Sequence, residues 1–346
     1  MAATMRRGRV TAILERHPGL TRLTVDGAPC VAYPELTGPV ALGDEVVVNV
    51  QARELGLGSG GFDVLVLNLT RGLDLAPEPG AHVMASPYTP LQLAVRHLEE
   101  SDSATPAPGG TAAPADAPPT AALGGLVVVC CSLHAQLAPV CAGLGKGLRV
   151  AYLQLAGGAL PVALSDAVRA LEAQRLIGVA VAVAPCLAGD VQAVSLASAL
   201  QWAAEQRCDA AICGIGPGVV GTGSRYGHGG LAVAEAVNVT VALGGRPVVA
   251  ARVSGADLRE RHRGLSHHTS AALSLCLGET VLAWPAGLPP PAQLPRRVAL
   301  LEIDATGWRA ACAGLPLAHM GRGPDDDPDF FAAAYAAGLV ARELLA

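Results

Sequence analysis

The stretch AAICGIGPGVVGTGSRYGHGGLAVAEAVNVTVALGGRPVVAARV, residues 210–253, has the pattern of one complete strand, loop, helix and strand. Its apolar run at 210–213 predicts a buried strand, 229–242 predicts a helix and 247–253 predicts the next strand. Two strands joined through a helix run parallel in one sheet, with a right-handed crossover. The glycine-dense loop after the first strand is therefore expected at the carboxyl edge of that sheet.

The same pattern repeats on both sides of this stretch, from Gly124 to the end of the chain. It predicts further strands at 126–131, 148–153, 177–184, 281–284 and 298–303, and helices at about 133–143, 162–174, 191–206, 266–277 and 327–345. Alternating strands and helices predict an α/β fold that is Rossmann-like, with a largely parallel sheet flanked by helices. We assign this domain to residues 124–346.

The N-terminal part has a different pattern. Residues 6–69 contain short β-like runs separated by Pro, Gly and Asp, namely GRVTAIL, TRLTVDG, PCVAYP, DEVVVNV and FDVLVLNL. Closely spaced strands without helical periodicity predict a small β-barrel-like domain, which we assign to residues 1–86. Residues 87–123 then connect the domains through a helix at LQLAVRHLEES and a flexible insertion rich in Ala, Pro, Gly and Thr.

Composition argues against several classes of protein. Hydrophobic residues make up 51% of the chain, yet no uncharged apolar run reaches the ~18 residues of a membrane span, so we expect no membrane partner. The N-terminus MAATMRRGRV has no apolar core after its basic residues, which argues against a secretory signal and for a cytoplasmic location. A net charge of −5, without basic clusters interleaved with aromatics, argues against nucleic acid as a partner. A homo-oligomer is compatible with this composition.

The cysteines show neither a C-x-x-C pair nor a secretory context, so we expect free buried thiols. The run Cys130-Cys131-Ser132-Leu133-His134 places thiols, a hydroxyl and an imidazole after the first strand of the α/β domain. A catalytic Cys–His pair needs contact in space that adjacency in sequence does not supply. Buried core cysteines beside a capping Ser132 are the favoured interpretation.

The glycine-dense segment 214–230 is the first candidate binding site. Its residues 216–221 formally match G-x-G-x-x-G, but the match is weak because it is not on the first βα turn and no acidic residue ends the next strand. Backbone N–H groups in such a run can still bind an anion, helped by the start of the following helix. The candidate ligand-binding residues are Gly216, Gly218, Gly221, Thr222, Ser224 and Arg225. A long structural turn is the alternative.

The polar segment 254–270, SGADLRERHRGLSHHTS, is the second candidate. Its histidines suit a metal, but their spacing matches no zinc signature, and adjacent histidines on a helix point about 100° apart. We therefore predict no metal. Two alternatives are proton transfer or substrate contact, and structural hydrogen bonding in a helix capped by Ser266. We assign catalytic roles to His267, His268 and Asp257, and ligand contacts to His228, His262, Arg252 and Arg259, whose guanidinium groups suit carboxylate or phosphate.

Both segments begin where a predicted parallel strand ends, so we expect them to face each other across one pocket. Five stretches also resemble one known family: GGALPVALSD (157–166), GDVQAVSLASAL (189–200), GPGVVGTGSRYGHGG (216–230), GGRPVVAARVSGADLRERHRGLSHHTSAAL (244–273) and MGRGPDDDPDFFAAAYAAG (320–338). With PYTPLQ (87–92) and the β-rich N-terminus, the chain is similar over nearly its whole length to the uncharacterised bacterial family numbered 3866 among the domains of unknown function.

The chain departs from the pattern of this family at three places. Ala156 stands where the resemblance implies an acidic residue, residues 184–186 lack an expected histidine, and Gln192 replaces an expected glutamate. Because the family has no established function, the resemblance implies no catalytic residue and no cofactor. Two hypotheses follow from the residues. One is an enzyme that transfers a proton to or from a small anionic metabolite, for example a phosphorylated one. The other is a non-catalytic protein that binds or senses such a metabolite.

Overall fold

The computed structural model describes residues 3–56, 60–71, 75–100 and 122–346. Most of the predicted insertion, residues 102–121, therefore lies outside the described residues. The chain divides into two compact units, Met1–Gly80 and Ala81–Ala346.

The first unit is a closed five-stranded barrel. Its elements are β1 (Met5–His17), β2 (Leu20–Val25), β3 (Ala28–Ala32), α1 (Pro34–Thr37), β4 (Glu45–Asn49), α2 (Gln51–Glu54) and β5 (Asp63–Asn68). The strand order is β1-β2-β3-β5-β4, and β3 runs parallel to β5. Alternate side chains such as Val46 and Val48 fill the interior, as the period of a strand requires. The predicted small barrel is confirmed.

The second unit is built on a sheet of eight parallel strands. Its strands, in chain order, are β6 (Val83–Ala85), β7 (Leu93–Val95), β8 (Val127–Cys131), β9 (Val150–Leu155), β10 (Val179–Val183), β11 (Val191–Ala193), β12 (Ala210–Ile215), β13 (Arg246–Ala250), β14 (Val253–Ser254), β15 (Gly264–Leu265), β16 (Thr280–Pro285) and β17 (Val298–Ile303). The sheet has the order β11-β10-β9-β12-β8-β13-β16-β17, while β6–β7 and β14–β15 form separate antiparallel pairs. The predicted parallel sheet is confirmed.

Helices cover both faces of this sheet. They are α3 (Leu137–Leu144), α4 (Asp166–Ala173), α5 (Leu196–Glu205), α6 (Ala232–Ala242), α7 (His267–Leu275), α8 (Trp308–Ala311) and α9 (Pro328–Leu345). Val127 and Val129 of β8 share a core with α3 and α4, whereas Val128 and Cys130 share the opposite core with α5, α6 and α7. Because β8 leads to α3 on one face and its neighbour β12 leads to α6 on the other, their carboxyl ends border the crevice where such folds bind ligands.

Two helix predictions are partly wrong. Residues 91–101 are predicted to be helical, but 93–95 form β7, which pairs with β6, and a 3₁₀ turn follows at Leu98–Glu100. The helix predicted at 191–206 contains β11 at its start, and α5 begins only after Ser195, whose hydroxyl accepts a hydrogen bond from the Ser198 backbone. In both places pairing with a neighbouring strand overrides the local helical pattern.

The thiols behave as the sequence predicts. All nine cysteines are free, and all except Cys208 are buried. Burial raises the pKa of Cys131 to about 12. Among the described residues, no helix has the length and apolar character needed to cross a membrane.

Candidate functional site

The two candidate segments meet at the carboxyl edge of the sheet. The glycine segment follows β12 and the polar segment follows β13, and these strands lie on either side of β8. His228, near the end of the glycine segment, stacks on His268 with ring centroids 3.7 Å apart and ring planes 12° apart. The two segments therefore lie in contact, and a pocket between them stays a prediction.

Four histidines form one cluster at this meeting point. The ring centroid of His267 lies 4.4 Å from that of His268 and 5.7 Å from that of His228. His262 lies 4.8 Å from His267 and 4.9 Å from His268. Adjacent residues on a helix point about 100° apart, which predicts that His267 and His268 diverge. In the structure the two rings are close, because both turn towards His228 and His262.

Ser266 fixes two of these rings. It is the N-cap of α7, and its hydroxyl oxygen accepts a hydrogen bond from the backbone N–H of His268 at 3.2 Å. The same oxygen lies 2.7 Å from Nδ1 of His262. Since the hydroxyl already accepts from the backbone, its own hydrogen is available for His262. The predicted capping by Ser266 is confirmed, and it also positions the cluster.

Arg252 supplies the charge beneath the histidines. Its side chain is 1% exposed, and Nη1 donates to Nδ1 of His268 at 3.0 Å. A guanidinium group only donates, so Nδ1 of His268 is the acceptor and the proton of the neutral ring sits on Nε2. Burial, followed by the charge of Arg259, lowers the pKa of Arg252 to about 10, which leaves the group charged at neutral pH.

Asp257 organises the arginines. Arg259 binds its carboxylate through two side-chain hydrogen bonds of 2.9 and 2.8 Å, while Arg322 and Arg252 approach to 3.3 and 3.7 Å. The hydrogen bond from Arg259 holds the pKa of Asp257 well below its usual range. The sequence predicted a catalytic role for Asp257 together with His267 and His268. In the described part of the chain its hydrogen bonds instead involve arginines and the nearby backbone.

The histidines are neutral in a positively charged environment. Burial, followed by the charge of Arg252, lowers the pKa of His262 to about 3. Burial, followed by the charges of His228 and Arg252, lowers the pKa of His268 to about 2. Burial also lowers the pKa of His267, to which Arg261 adds a smaller effect. At neutral pH these rings are therefore uncharged, and the arginines oppose their protonation.

Several polar atoms of the cluster have no partner. Four of the five buried side-chain nitrogen or oxygen atoms without a hydrogen bond, in the part of the chain that is described, belong here: Nδ1 of His228, Nε of Arg252, Nε2 of His267 and Nε2 of His319. Nε2 of His228 donates to the carbonyl oxygen of Arg225 at 3.1 Å, so its Nδ1 carries a bare lone pair. Each such buried atom costs about 1–3 kcal/mol, which a polar ligand or water would relieve.

A metal is one possible occupant of the cluster. One ring nitrogen from each of His228, His267 and His268 lies within 4.8 Å of the other two, and neutral imidazoles are good zinc ligands. Two observations oppose a cation. Nδ1 of His268 is occupied by Arg252, and the arginine charges that lower the histidine pKa values also repel Zn²⁺. Both observations argue against a metal ion at this cluster.

The glycines of the first segment serve different purposes. A Cβ atom on Gly216 would lie 2.1 Å from the carbonyl oxygen of Ala159, so Gly216 permits a backbone crossing between the loops after β9 and β12. Gly218 has a φ of 72°, which favours glycine, and its backbone is exposed. Gly221 forms a bridge with His228. Gly216 therefore has a structural role, whereas Gly218 remains a candidate for ligand contact.

Thr222, Ser224 and Arg225 build the exposed turn that carries His228. The two hydroxyl oxygens lie 2.8 Å apart, and each also bonds to the backbone of Gly227. The guanidinium of Arg225 lies 5.1 Å from the ring of Tyr226, while its carbonyl accepts from His228. These residues thus hold His228 in place as the structural alternative predicts, and the exposed Arg225 side chain stands at the surface of the turn.

A third segment of the site, residues 319–327, was not predicted from the sequence. Arg322 bonds both Asp257 and Asp327, and His319 stacks on Phe330 with centroids 3.7 Å apart. Asp327 is the N-cap residue of α9, and its carboxylate accepts a hydrogen bond from the Ser254 hydroxyl at 2.6 Å. Residues 320–338 contain Arg322 and Asp327. No local sequence pattern connects them to their partners Asp257 and Ser254, which lie 60 or more positions earlier in the chain.

A second polar cluster lies after β8. Nε2 of His134 lies 2.7 Å from the hydroxyl oxygen of Ser165, and Nδ1 lies 3.2 Å from the carbonyl oxygen of Ile215. Cys130 and Cys131 are buried in opposite cores and do not form the catalytic pair. Ser132 is not the cap, because its hydroxyl bonds to the side chain of Gln136.

Comparison with known proteins gives one match. The family model described as "Protein of unknown function (DUF3866)" matches residues 29–338. Neither a curated protein nor a solved structure matches the chain.

Proposed function

Because the chain belongs to the DUF3866 family, described only as proteins of unknown function, we propose a function from the site itself. The cluster around Arg252 binds a small anionic metabolite, with a phosphorylated metabolite as the best match. His267 or His268 exchanges a proton with the bound molecule. The observation that carries the proposal is the buried, charged Arg252. Its Nε makes no hydrogen bond to any residue that the structure describes, and its nearest carboxylate is shared with two other arginines.

The balance of charge supports an anion. Arg252, Arg259 and Arg322 share the carboxylates of Asp257 and Asp327. Among the described residues, Asp329 forms no ion pair with these arginines, and burial, followed by the charge of Asp327, raises the pKa of its carboxyl. Buried positive charge without a full set of counter-charges is costly, so a bound anion stabilises the folded protein.

The hydrogen-bonding atoms support a ligand that can also donate a proton. Nε of Arg252 and Nε2 of His268 offer hydrogens, whereas the bare Nδ1 of His228 needs one. A phosphate monoester carries both acceptor oxygens and, near neutral pH, a hydroxyl in part of its population. Sulfate has acceptors only, so it meets fewer of these requirements.

Proton transfer requires the bound anion, because the pKa values of the free rings are low. A bound anion offsets the charge of Arg252 and raises the pKa of His267 and His268, so binding is coupled to proton uptake. A non-catalytic binding or regulatory protein is the second candidate, and the pKa of His268 near 2 favours it because such a ring is a weak base before the anion binds.

Isothermal titration of the full chain with inorganic phosphate tests the proposal. Titrations in two buffers of different ionisation enthalpy measure the protons taken up. We expect phosphate to bind with net proton uptake and more tightly than sulfate. Arg252→Gln should abolish binding, and Arg259→Gln, whose side chain is 38% exposed, should weaken it by about ten-fold or more.

Arg309→Gln is the matched control, because Arg309 forms an exposed pair with Asp325. It should bind phosphate as the wild type does. Unchanged phosphate affinity in folded Arg252→Gln and Arg259→Gln would overturn the proposed anion site. Stoichiometric zinc with no phosphate binding would replace it with a metal centre.

A further inference from the structure

Met320 occupies a position between two arginines of the site. Its Sδ lies 3.6 Å from Nη2 of Arg252 and 3.3 Å from Nη2 of Arg259. A thioether is a weak hydrogen-bond acceptor, whereas guanidinium N–H groups bond best to negatively charged oxygens. Two strong donors therefore converge on an atom that satisfies them poorly.

The backbone holds this methionine in an unfavourable conformation. His319 and Arg322 exchange backbone hydrogen bonds of 2.8 and 2.9 Å across a tight turn. The two central residues have φ values of 51° for Met320 and 77° for Gly321. Turns with two positive φ values favour Gly, Asn or Asp at the first central position, so a methionine there costs free energy.

Both ends of the turn are fixed. The ring of His319 stacks on the ring of Phe330, and Arg322 bonds to Asp257 and Asp327. Only the tip is exposed, with 55% of Met320 accessible to solvent while Arg252 beneath it is buried. The side chain thus has solvent space to move into without movement of the turn.

We propose that Met320 is a displaceable, specificity-determining residue whose sulfur holds the place of an oxygen atom of the bound anion, an inference that rests on the proposed function. The oxygen of a phosphate group displaces the thioether and accepts from both guanidinium groups. Met320 therefore competes with the anion, and only ligands with a stronger acceptor than sulfur enter between Arg252 and Arg259.

Two substitutions of Met320 give opposite expectations. Met320→Leu keeps the volume and removes the competing acceptor, so inorganic phosphate should bind about two- to ten-fold more tightly. Met320→Glu places a carboxylate of similar length beside both arginines. It should act as a built-in anion, raise the melting temperature and weaken phosphate binding by about a hundred-fold or more.

Leu258→Glu is the control for added charge, because Leu258 is 89% exposed and adjoins Asp257 in sequence. It adds a carboxylate near the site without placing it between Arg252 and Arg259. It should weaken phosphate binding much less than Met320→Glu and should not raise the melting temperature. A merely structural role for Met320 predicts a lower melting temperature for both Met320 variants.

The measurements are phosphate titration calorimetry and thermal unfolding of the full chain. Phosphate affinity that is equal in wild type, Met320→Leu and Met320→Glu overturns the role of Met320 and leaves the anion site intact. Equal effects of Met320→Glu and Leu258→Glu also overturn it. Absence of phosphate binding in wild type and Met320→Leu overturns the proposed function and this inference together.

Discussion

Acidification should destabilise the α/β unit through its buried histidines. Burial and neighbouring arginines lower the pKa of His262 and His319 to about 3, and that of His268 to about 2. Unfolded histidine titrates near pH 6.5, so between pH 6.5 and about 3 the unfolded chain binds more protons than the folded chain. The free energy of unfolding therefore rises with pH in this window and is lost as the pH falls through 6.5.

The size of the effect follows from proton counting. A histidine that stays neutral in the folded state loses roughly 2 kcal/mol of stabilisation between pH 7 and pH 5, when its unfolded pKa is about 6.5. His262, His268 and His319 are 1%, 5% and 2% exposed, so solvent screens this effect little. Together they account for roughly 6 kcal/mol, which is comparable to the whole stability of many domains.

Urea unfolding at pH 7, 6 and 5 measures this loss. Tryptophan fluorescence is a suitable signal, because Trp202, Trp284 and Trp308 all lie in the Ala81–Ala346 unit. His319→Gln removes one of the three buried rings. Its loss of unfolding free energy between pH 7 and pH 5 should be about 2 kcal/mol smaller than that of the wild type. His82→Gln, which removes an exposed ring outside the cluster, is the matched control.

Equal losses in wild type and His319→Gln would refute the reasoning, because they would mean that His319 is protonated equally in the folded and unfolded states. A wild type whose stability does not change from pH 7 to pH 5 would refute it for all three rings. Saturating phosphate should flatten the dependence, since a bound anion raises the histidine pKa values in the folded protein.

Two further outcomes follow from the same geometry. Gly216→Ala should lower the free energy of unfolding by about 3 kcal/mol or more in urea titrations, because its Cβ meets the Ala159 carbonyl, whereas Gly307→Ala, with open space around it, should change it by less than about 0.5 kcal/mol. Elemental analysis of purified protein should find no stoichiometric zinc, and a chelator should leave the thermal unfolding of wild type, His267→Ala and His268→Ala unchanged. Chelator-induced unfolding of the wild type alone would identify a structural metal site.

The strands of the sheet were predictable because their pattern is local. Residues 298–303 were predicted as a strand and form β17 with the same bounds, because an apolar run this short, bounded by turn residues, favours a strand over a helix. The three residues of β11 were not predictable in this way. They are too few for a periodic pattern, and their conformation depends on pairing with β10.

The part of the candidate site that follows directly from strand ends was predictable from the sequence. The two segments were expected to meet because each follows a predicted parallel strand, and in the structure those strands lie on either side of β8. Arg322 and Met320 reach the site from a segment that precedes α9, and their contacts depend on where that helix packs. A sequence pattern does not contain that information. The sequence pattern also did not show that Gly216 is required because a neighbouring backbone passes too close for a Cβ atom, and not because it contacts a ligand.

The glycine segment determines the position of one ring of the histidine cluster, that of His228. Gly229 directly follows His228, and a Cβ on Gly229 would lie 2.0 Å from the carbonyl oxygen of Gly157 in the loop after β9. This close contact fixes the backbone beside His228, and the bond from its Nε2 to the Arg225 carbonyl fixes the ring. The ring can then stack on His268 with its Nδ1 unpaired, next to a guanidinium that lacks a full counter-charge. Glycines that touch no ligand thus determine which polar atoms remain available to one.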